Sequence, residues 1–190
     1  MPIILNLHAI IPSSRVNGPG TRSVIFFQGC ARACAGCFNP ETHDFSLNKA
    51  RSVDEVLMAV PQGAEGLTIS GGEPFVQPQG LKALLTSARQ TRGLSIIIYT
   101  GFTLEELRAD KARAAVLPLI DVLVAGPFEI KKTEKTALAR GSTNQTFHFL
   151  SERYNINDLY LPARLEVTIG VDGSLTGTGF SSITSLSDNI

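Results

Sequence analysis

The sequence predicts an α/β fold: an incomplete, open (βα) barrel with a mainly parallel sheet, followed by a C-terminal antiparallel hairpin. Three observations predict it. Short apolar, β-branched runs alternate with helical patterns, as in βαβ units, whose strands pair in parallel through right-handed crossovers. The chain has 190 residues, whereas a closed eight-unit barrel takes about 250, so only part of a barrel can form. After Leu150 the alternation stops, and two strand-like runs flank a turn signal.

Each element has a local reason. Met1–Ile11 is apolar but interrupted by Asn6 and His8, with no basic stretch before it and no small-residue cleavage site after it. It reads as an alternating strand rather than a signal peptide or a membrane span. Core strands are expected over Ser23–Gln28, Leu67–Ser70, Ser95–Tyr99 and Asp121–Val124. Ser52-Val53-Asp54-Glu55 is a capping box opening a helix that runs to about Val60, where Pro61 stops it. Leu81, Leu84, Leu85 and Ala88 share one face of a second helix, and Gly93 suits the position just past its end. Thr103-Leu104-Glu105-Glu106 opens a third with the same box. Arg164–Gly170 and Leu175–Gly179 flank Val171-Asp172-Gly173-Ser174, a hairpin signal. The last ten residues, rich in Ser and Asp, are expected to be loose. The expected division is a chemistry-bearing core over 1–150 and a hairpin appendage with its tail over 151–190.

Charge narrows the partners. Seventeen basic residues balance seventeen acidic ones, and the pI is about 6.8. No global field draws the chain to nucleic acid or to an anionic membrane, and a cytoplasmic setting is expected.

All three cysteines lie within eight consecutive residues, as Cys30-x3-Cys34-x2-Cys37. A disulfide there would staple nothing distant, so the cluster points to metal. The loop follows directly on a core strand and Gly29, at the carboxyl end where ligands gather in open α/β sheets and barrels. Thiolates suit an iron–sulfur cluster, and an ordinary [4Fe–4S] site supplies four cysteines. The chain has no fourth, so three irons can be anchored and one left open to an exogenous ligand. A structural zinc site completed by His43 or His8 is the alternative.

Ser70-Gly71-Gly72-Glu73-Pro74 ends the second core strand. Glycines let a backbone approach a ligand closely, the Glu73 carboxylate can accept from an ammonium group, and Pro74 fixes the exit of the turn. The competing reading is a plain turn in which Glu73 favours the N-terminus of the next helix. Tyr99-Thr100-Gly101 ends the third core strand in the same layer, Asn17–Arg22 precedes the first, and Arg140–Gln145 forms a polar loop. Taken singly, these are ordinary turns.

Together these strings resemble the radical S-adenosylmethionine (SAM) superfamily, and more narrowly the activating proteins of anaerobic (class III) ribonucleotide reductase. The matching pieces are Val16–Arg22, Gln28-Gly29-Cys30, Cys37–Thr42, Ser70–Pro74, Tyr99-Thr100-Gly101, Asp121–Phe128 and Arg140–Gln145, in the family's order. The resemblance implies a [4Fe–4S] cluster on Cys30, Cys34 and Cys37, with SAM chelating the open iron. It implies a cofactor site built from Phe38, Asn39, Ser70, Gly71, Gly72, Glu73, Pro74 and Thr100, with no catalytic side chain beyond the cluster and SAM. An electron from a low-potential donor would cleave SAM to methionine and a 5′-deoxyadenosyl radical. That radical would take a hydrogen atom from a glycine of the partner, a glycyl radical enzyme such as the anaerobic reductase.

Three positions depart from the pattern. Gly36 stands where the superfamily often has an aromatic residue, which moves adenine packing to Phe38. Ala125 and Pro127 stand where an Asp and a basic residue are common, with Lys131, Lys132 or Arg140 as possible replacements. Two other readings stay open on these residues: a radical SAM enzyme acting on a small molecule or peptide, and a non-catalytic iron–sulfur or zinc module.

Overall fold

Strand formation follows the apolar runs closely in the computed structural model, which describes residues 2–173 and 175–180. The long N-terminal strand is β1 (Ile4–Ser14), followed by β2 (Arg22–Phe27), β3 (Lys49–Ser52), helix α1 (Val53–Met58), β4 (Gly66–Gly71) and α2 (Pro78–Arg92). Then come β5 (Ser95–Thr100), α3 (Leu104–Ala109), α4 (Lys111–Ala114), β6 (Val122–Ala125), β7 (Thr146–Phe149), β8 (Leu165–Ile169) and β9 (Leu175–Gly179). The final ten residues, expected to be loose, lie outside the described residues, as do Met1 and the Ser174 of the hairpin turn.

Seven strands form one sheet in the order β3-β1-β2-β4-β5-β6-β7. The central four, β2-β4-β5-β6, run parallel, while β1, β3 and β7 join antiparallel at the flanks. The fold is therefore α/β with a mainly parallel centre, and β8 and β9 form the separate antiparallel hairpin. β3 and β7 were not expected. Both are four-residue edge strands, and Lys-Ala-Arg-Ser carries no apolar alternation to reveal it.

The helix signals act as local chemistry requires. Ser52 and Glu55 close one capping box, and Thr103 and Glu106 close the other. Gly93 takes the left-handed conformation at φ 60° just past α2. Among the described residues, no helix is long and apolar enough to cross a membrane.

One face of the sheet, with Ile25, Leu67, Ile69, Ile96, Ile98 and Leu123, packs against Val56 of α1, Leu81, Leu84 and Leu85 of α2, and Leu107 of α3. The opposite face, with Ile97, Val122 and Val124, is covered by Ala139, Leu159 and Leu161. Residues beyond Leu150 thus enter a buried cluster of the main sheet. The amino-terminal ends of the parallel strands are closed by Arg22, which is fully buried. Its guanidinium donates to Thr68 Oγ1 and Ser95 Oγ, each at 2.8 Å, and to the carbonyls of Leu67 and Ser95. That closure leaves the carboxyl ends for ligands.

Candidate functional site

Cys30, Cys34 and Cys37 line one cavity of about 420 Å³ at the carboxyl ends of the parallel strands, within the range of about 300–1,000 Å³ usual for cofactor sites. The loop that carries them is held by backbone bonds to the segment after it. Gly29 N–H donates to Thr42 O at 2.8 Å, and Cys30 N–H to His43 O at 3.1 Å. Gly29 has φ 98°, a conformation that favours glycine. The amide of Asn39 donates to Cys37 Sγ at 3.4 Å. Burial pushes the thiols of Cys30 and Cys37 up, against backbone hydrogen bonds that pull the other way. A bound metal favours the thiolate and reverses that push.

The glycine turn forms the adjoining wall. Gly72 N–H donates to Phe27 O and Glu73 N–H to Gly29 O, both at 2.8 Å. A Cβ on Gly72 would stand 2.5 Å from Gly29 O, so only glycine permits this approach between turn and cysteine loop. Glu73 is 2% exposed, and its carboxylate is already engaged. It accepts from Phe75 N at 3.0 Å, from Gly101 N at 2.8 Å, and from Thr100 Oγ1 at 2.8 and 3.0 Å. Burial pushes its carboxyl up, opposed by those hydrogen bonds and by Arg32. The acid therefore bolts the end of β4 to the end of β5, and the 3₁₀ turn at Pro74–Val76 begins on its cap.

Phe38 and Phe128 form an aromatic wall, their ring centroids 5.0 Å apart. Behind them Gln145 Oε1 accepts from Gly141 N and Ser142 N, and its Nε2 donates to Gly126 O at 3.1 Å. Tyr99 is pushed up by burial and donates its hydroxyl hydrogen to Ala139 O at 2.9 Å.

The three cysteines, Phe38, Asn39, Ser70, Gly71, Gly72, Glu73 and Thr100 all line this cavity. Pro74 does not; it is buried behind the turn. Of the two alternative zinc ligands, His43 lines the cavity, whereas His8 faces Glu41 at 3.8 Å. Among the described residues, no three of His, Cys, Asp or Glu converge as a mononuclear site requires. A cluster offers a separate iron to each thiolate and needs no such convergence. Arg140 is no replacement for the missing basic residue, because its Nε pairs with Glu134 Oε2 at 2.7 Å. Lys132 pairs with Glu129, and Ala125 belongs to the helix-side core.

Sequence reasoning missed Arg32 and the hairpin residues Leu165 and Gly177–Phe180, which also line the cavity. Arg32 sits between two cysteines, pairs with Glu106 at 2.9 Å and stacks on Phe102 at 4.4 Å. Its position inside the cysteine motif was the available signal. No local pattern places the hairpin here.

Comparison with known proteins agrees with this geometry. The profile of the 4Fe-4S single cluster domain matches residues 16–148. The anaerobic ribonucleoside-triphosphate reductase-activating protein of Pasteurella multocida is 33% identical over 154 residues, spanning 76% of this chain and 97% of that protein. The proteins of the same name from Vibrio cholerae and Escherichia coli are 35% and 34% identical, over 76% and 77% of this chain and 97% and 99% of theirs. With the three cysteines and the glycine turn meeting in one cavity, the chain belongs to the family of the anaerobic ribonucleoside-triphosphate reductase-activating proteins, built on a 4Fe-4S single cluster domain.

Proposed function

We propose that this protein is a radical SAM activase that generates a glycyl radical on an anaerobic ribonucleoside-triphosphate reductase. The carrying observation is that three cysteines, with no fourth in the chain, and the Gly71–Glu73 turn share one cavity. Held by Cys30, Cys34 and Cys37 and reduced, a bound cluster would supply the one electron for cleavage of SAM to methionine and a 5′-deoxyadenosyl radical, which would take a hydrogen atom from the partner's glycine.

The residues divide the remaining work. Cys30, Cys34 and Cys37 would hold three irons of the cluster. Gly71 and Gly72, lacking side chains, let the cofactor's amino-acid end lie against the backbone. Glu73 and Thr100 keep that backbone in place, and the buried carboxylate favours a cationic ligand nearby. Phe38 offers a face to the adenine, with Asn39 and Ser70 as polar neighbours. The sheet's curvature as a partial, open barrel belongs to the same reading, since a substrate loop of another protein needs an open side. So do the cytoplasmic setting, the low-potential donor and the division in which residues 1–150 carry the cofactors. In that division residues 151–190 form the hairpin appendage and its tail.

The test is anaerobic reconstitution with iron and sulfide, followed by SAM, reductant and the reductase. 5′-Deoxyadenosine and a glycyl radical signal in EPR are expected together. Cleavage of SAM with fast conversion of a small metabolite, and no radical on any glycyl radical enzyme of the same cell, would overturn the reading.

A further inference from the structure

Arg32 stands between two of the three cysteines, and among the described residues lining the cavity it alone carries a permanent positive charge. Several contacts fix that charge. The guanidinium lies 4.4 Å over the Phe102 ring, and Nη2 pairs with Glu106 Oε2 at 2.9 Å. Cδ and Nε run along Gly101, where a Cβ would stand 2.3 and 2.9 Å from them. The next residue, Ala33, takes φ 42°, a left-handed conformation uncommon for a residue with a Cβ. The contacts of Arg32 help to offset that cost. Arg113 packs on the same ring at 4.2 Å but does not line the cavity.

The charge is not used up by this clamp. Nε is buried and has no hydrogen-bond partner among the described residues, although a buried donor left unpaired is costly. The field of Arg32 also reaches Glu73: burial pushes that carboxyl up, and Arg32 is among the influences opposing it. Glu106 is about half exposed, so solvent screens its charge and the pair leaves a net positive field in the cavity.

We propose that Arg32 sets the reduction potential of the cluster, its guanidinium raising the potential and Glu106 limiting the rise. The proposal rests on the cluster reading above and names a residue that governs how readily the cluster accepts its electron. One-electron reduction adds a negative charge to a site that already carries three thiolates, while the low-potential donor is oxidised by one electron. A cation at the wall stabilises the reduced form more than the oxidised form, and in a partly buried site water screens it less. Net charge and hydrogen bonds to sulfur are the means by which a protein moves such potentials. Arg32 brings the charge, and its unpaired Nε–H is a donor available for such a bond.

The experiment is an EPR-monitored redox titration of the full-length, anaerobically reconstituted protein, with dithionite and mediator dyes and with iron counted in every sample. Arg32→Gln is expected to lower the potential, making reduction about tenfold less favourable, which is about 59 mV for one electron. Glu106→Gln keeps the capping box, since Gln also serves at that position. It is expected to raise the potential, by about threefold in the same constant because the removed charge is partly screened. Arg32→Lys, which keeps the charge but not the planar stack, is expected to stay close to the unaltered protein. A clamp without an electrostatic role predicts otherwise. Arg32→Gln and Glu106→Gln break the same ion pair, and would then shift the potential in the same direction or not at all. Either result overturns the proposal, as does a Lys variant that follows the Gln variant. If Arg32→Gln does not retain iron, Glu106→Gln decides: a raised potential is expected, and an unmoved or lowered one overturns the proposal. Failure of the unaltered protein to form any cluster overturns the cluster reading and this proposal together. A cluster whose potential ignores these changes overturns this proposal alone.

Discussion

The amide of Glu73 donates to the carbonyl of Gly29 at 2.8 Å, which makes the acid turn and the cysteine loop one hydrogen-bonded unit. The ends of β2 and β4 cannot move apart without breaking it. Metal site and glycine turn are therefore expected to fail together when either is disturbed.

Replacing Gly72 by Ala tests that coupling. The new Cβ meets the carbonyl oxygens of Gly29 at 2.5 Å and Thr42 at 2.9 Å, and backbone atoms yield poorly. Overpacking of this kind costs about 1–3 kcal/mol, or a melting temperature lower by roughly 2–12 °C. Iron retained per chain is expected to fall with it, read by metal analysis after anaerobic desalting.

The cysteines carry the simplest expectation. Protein prepared without oxygen binds about four irons and four sulfides per chain. Changing Cys30, Cys34 or Cys37 to Ala abolishes the stable cluster and SAM cleavage together. Stoichiometric zinc without iron in the native protein would contradict it.

Glu73→Gln and Thr100→Val separate two roles for the acid. The carboxylate accepts from two backbone amides and the Thr100 hydroxyl, and a Gln would leave one of these buried donors unpaired at about 1–3 kcal/mol. If Glu73 acts by holding the turn, both variants weaken SAM binding by similar factors, on the order of tenfold. A much larger loss in Glu73→Gln alone, measured by SAM titration of the holoprotein, would instead indicate direct contact with the ammonium.

Acid sensitivity has a named source. Burial opposes ionisation of Glu134, but hydrogen bonds from Thr136 and Arg140 prevail and hold its carboxyl at about 2, below the ordinary 4.5. Its contribution is present above pH 4.5 and is lost as pH falls from there towards 2. Glu73, pushed up by burial, has the opposite sign, since its cost appears as pH rises above the ordinary carboxylate range. Melting temperatures between pH 5 and 2.5 are expected to fall less steeply in Glu134→Gln than in the unaltered protein.

Truncation distinguishes the covering segment from the hairpin. A chain ending at Leu150 loses Leu159 and Leu161, buried against Ile97, Val122 and Val124. It also loses the Tyr154 hydroxyl that bonds Ser95 Oγ at 2.8 Å. At about 1.5–3 kcal/mol per buried leucine, the loss is roughly 3–6 kcal/mol, a large share of a domain's stability. A chain ending at Pro162 keeps this core. Circular dichroism melting is expected to show a cooperative transition for the longer chain and a much weakened one for the shorter.

Much of this protein was legible in local pattern. The four core strands, both capping boxes and the αL glycine at Gly93 emerge from residues within a few positions of one another, because periodicity and capping are short-range chemistry. The spacing of Cys30, Cys34 and Cys37 predicted a cluster for the same reason, since one loop supplies all three ligands. β3 and β7 escaped notice because short edge strands need little apolar alternation. Other features were decided only when the strands assembled. The partners of the Glu73 carboxylate, Thr100 and Gly101, lie 27 and 28 residues away. Arg140, a candidate cofactor ligand by sequence, is spent on Glu134. The hairpin was predicted, but its seat in the cavity was not. A hydrogen bond between distant residues depends on which strand ends are brought side by side, and that is a property of sheet order, which no local window contains.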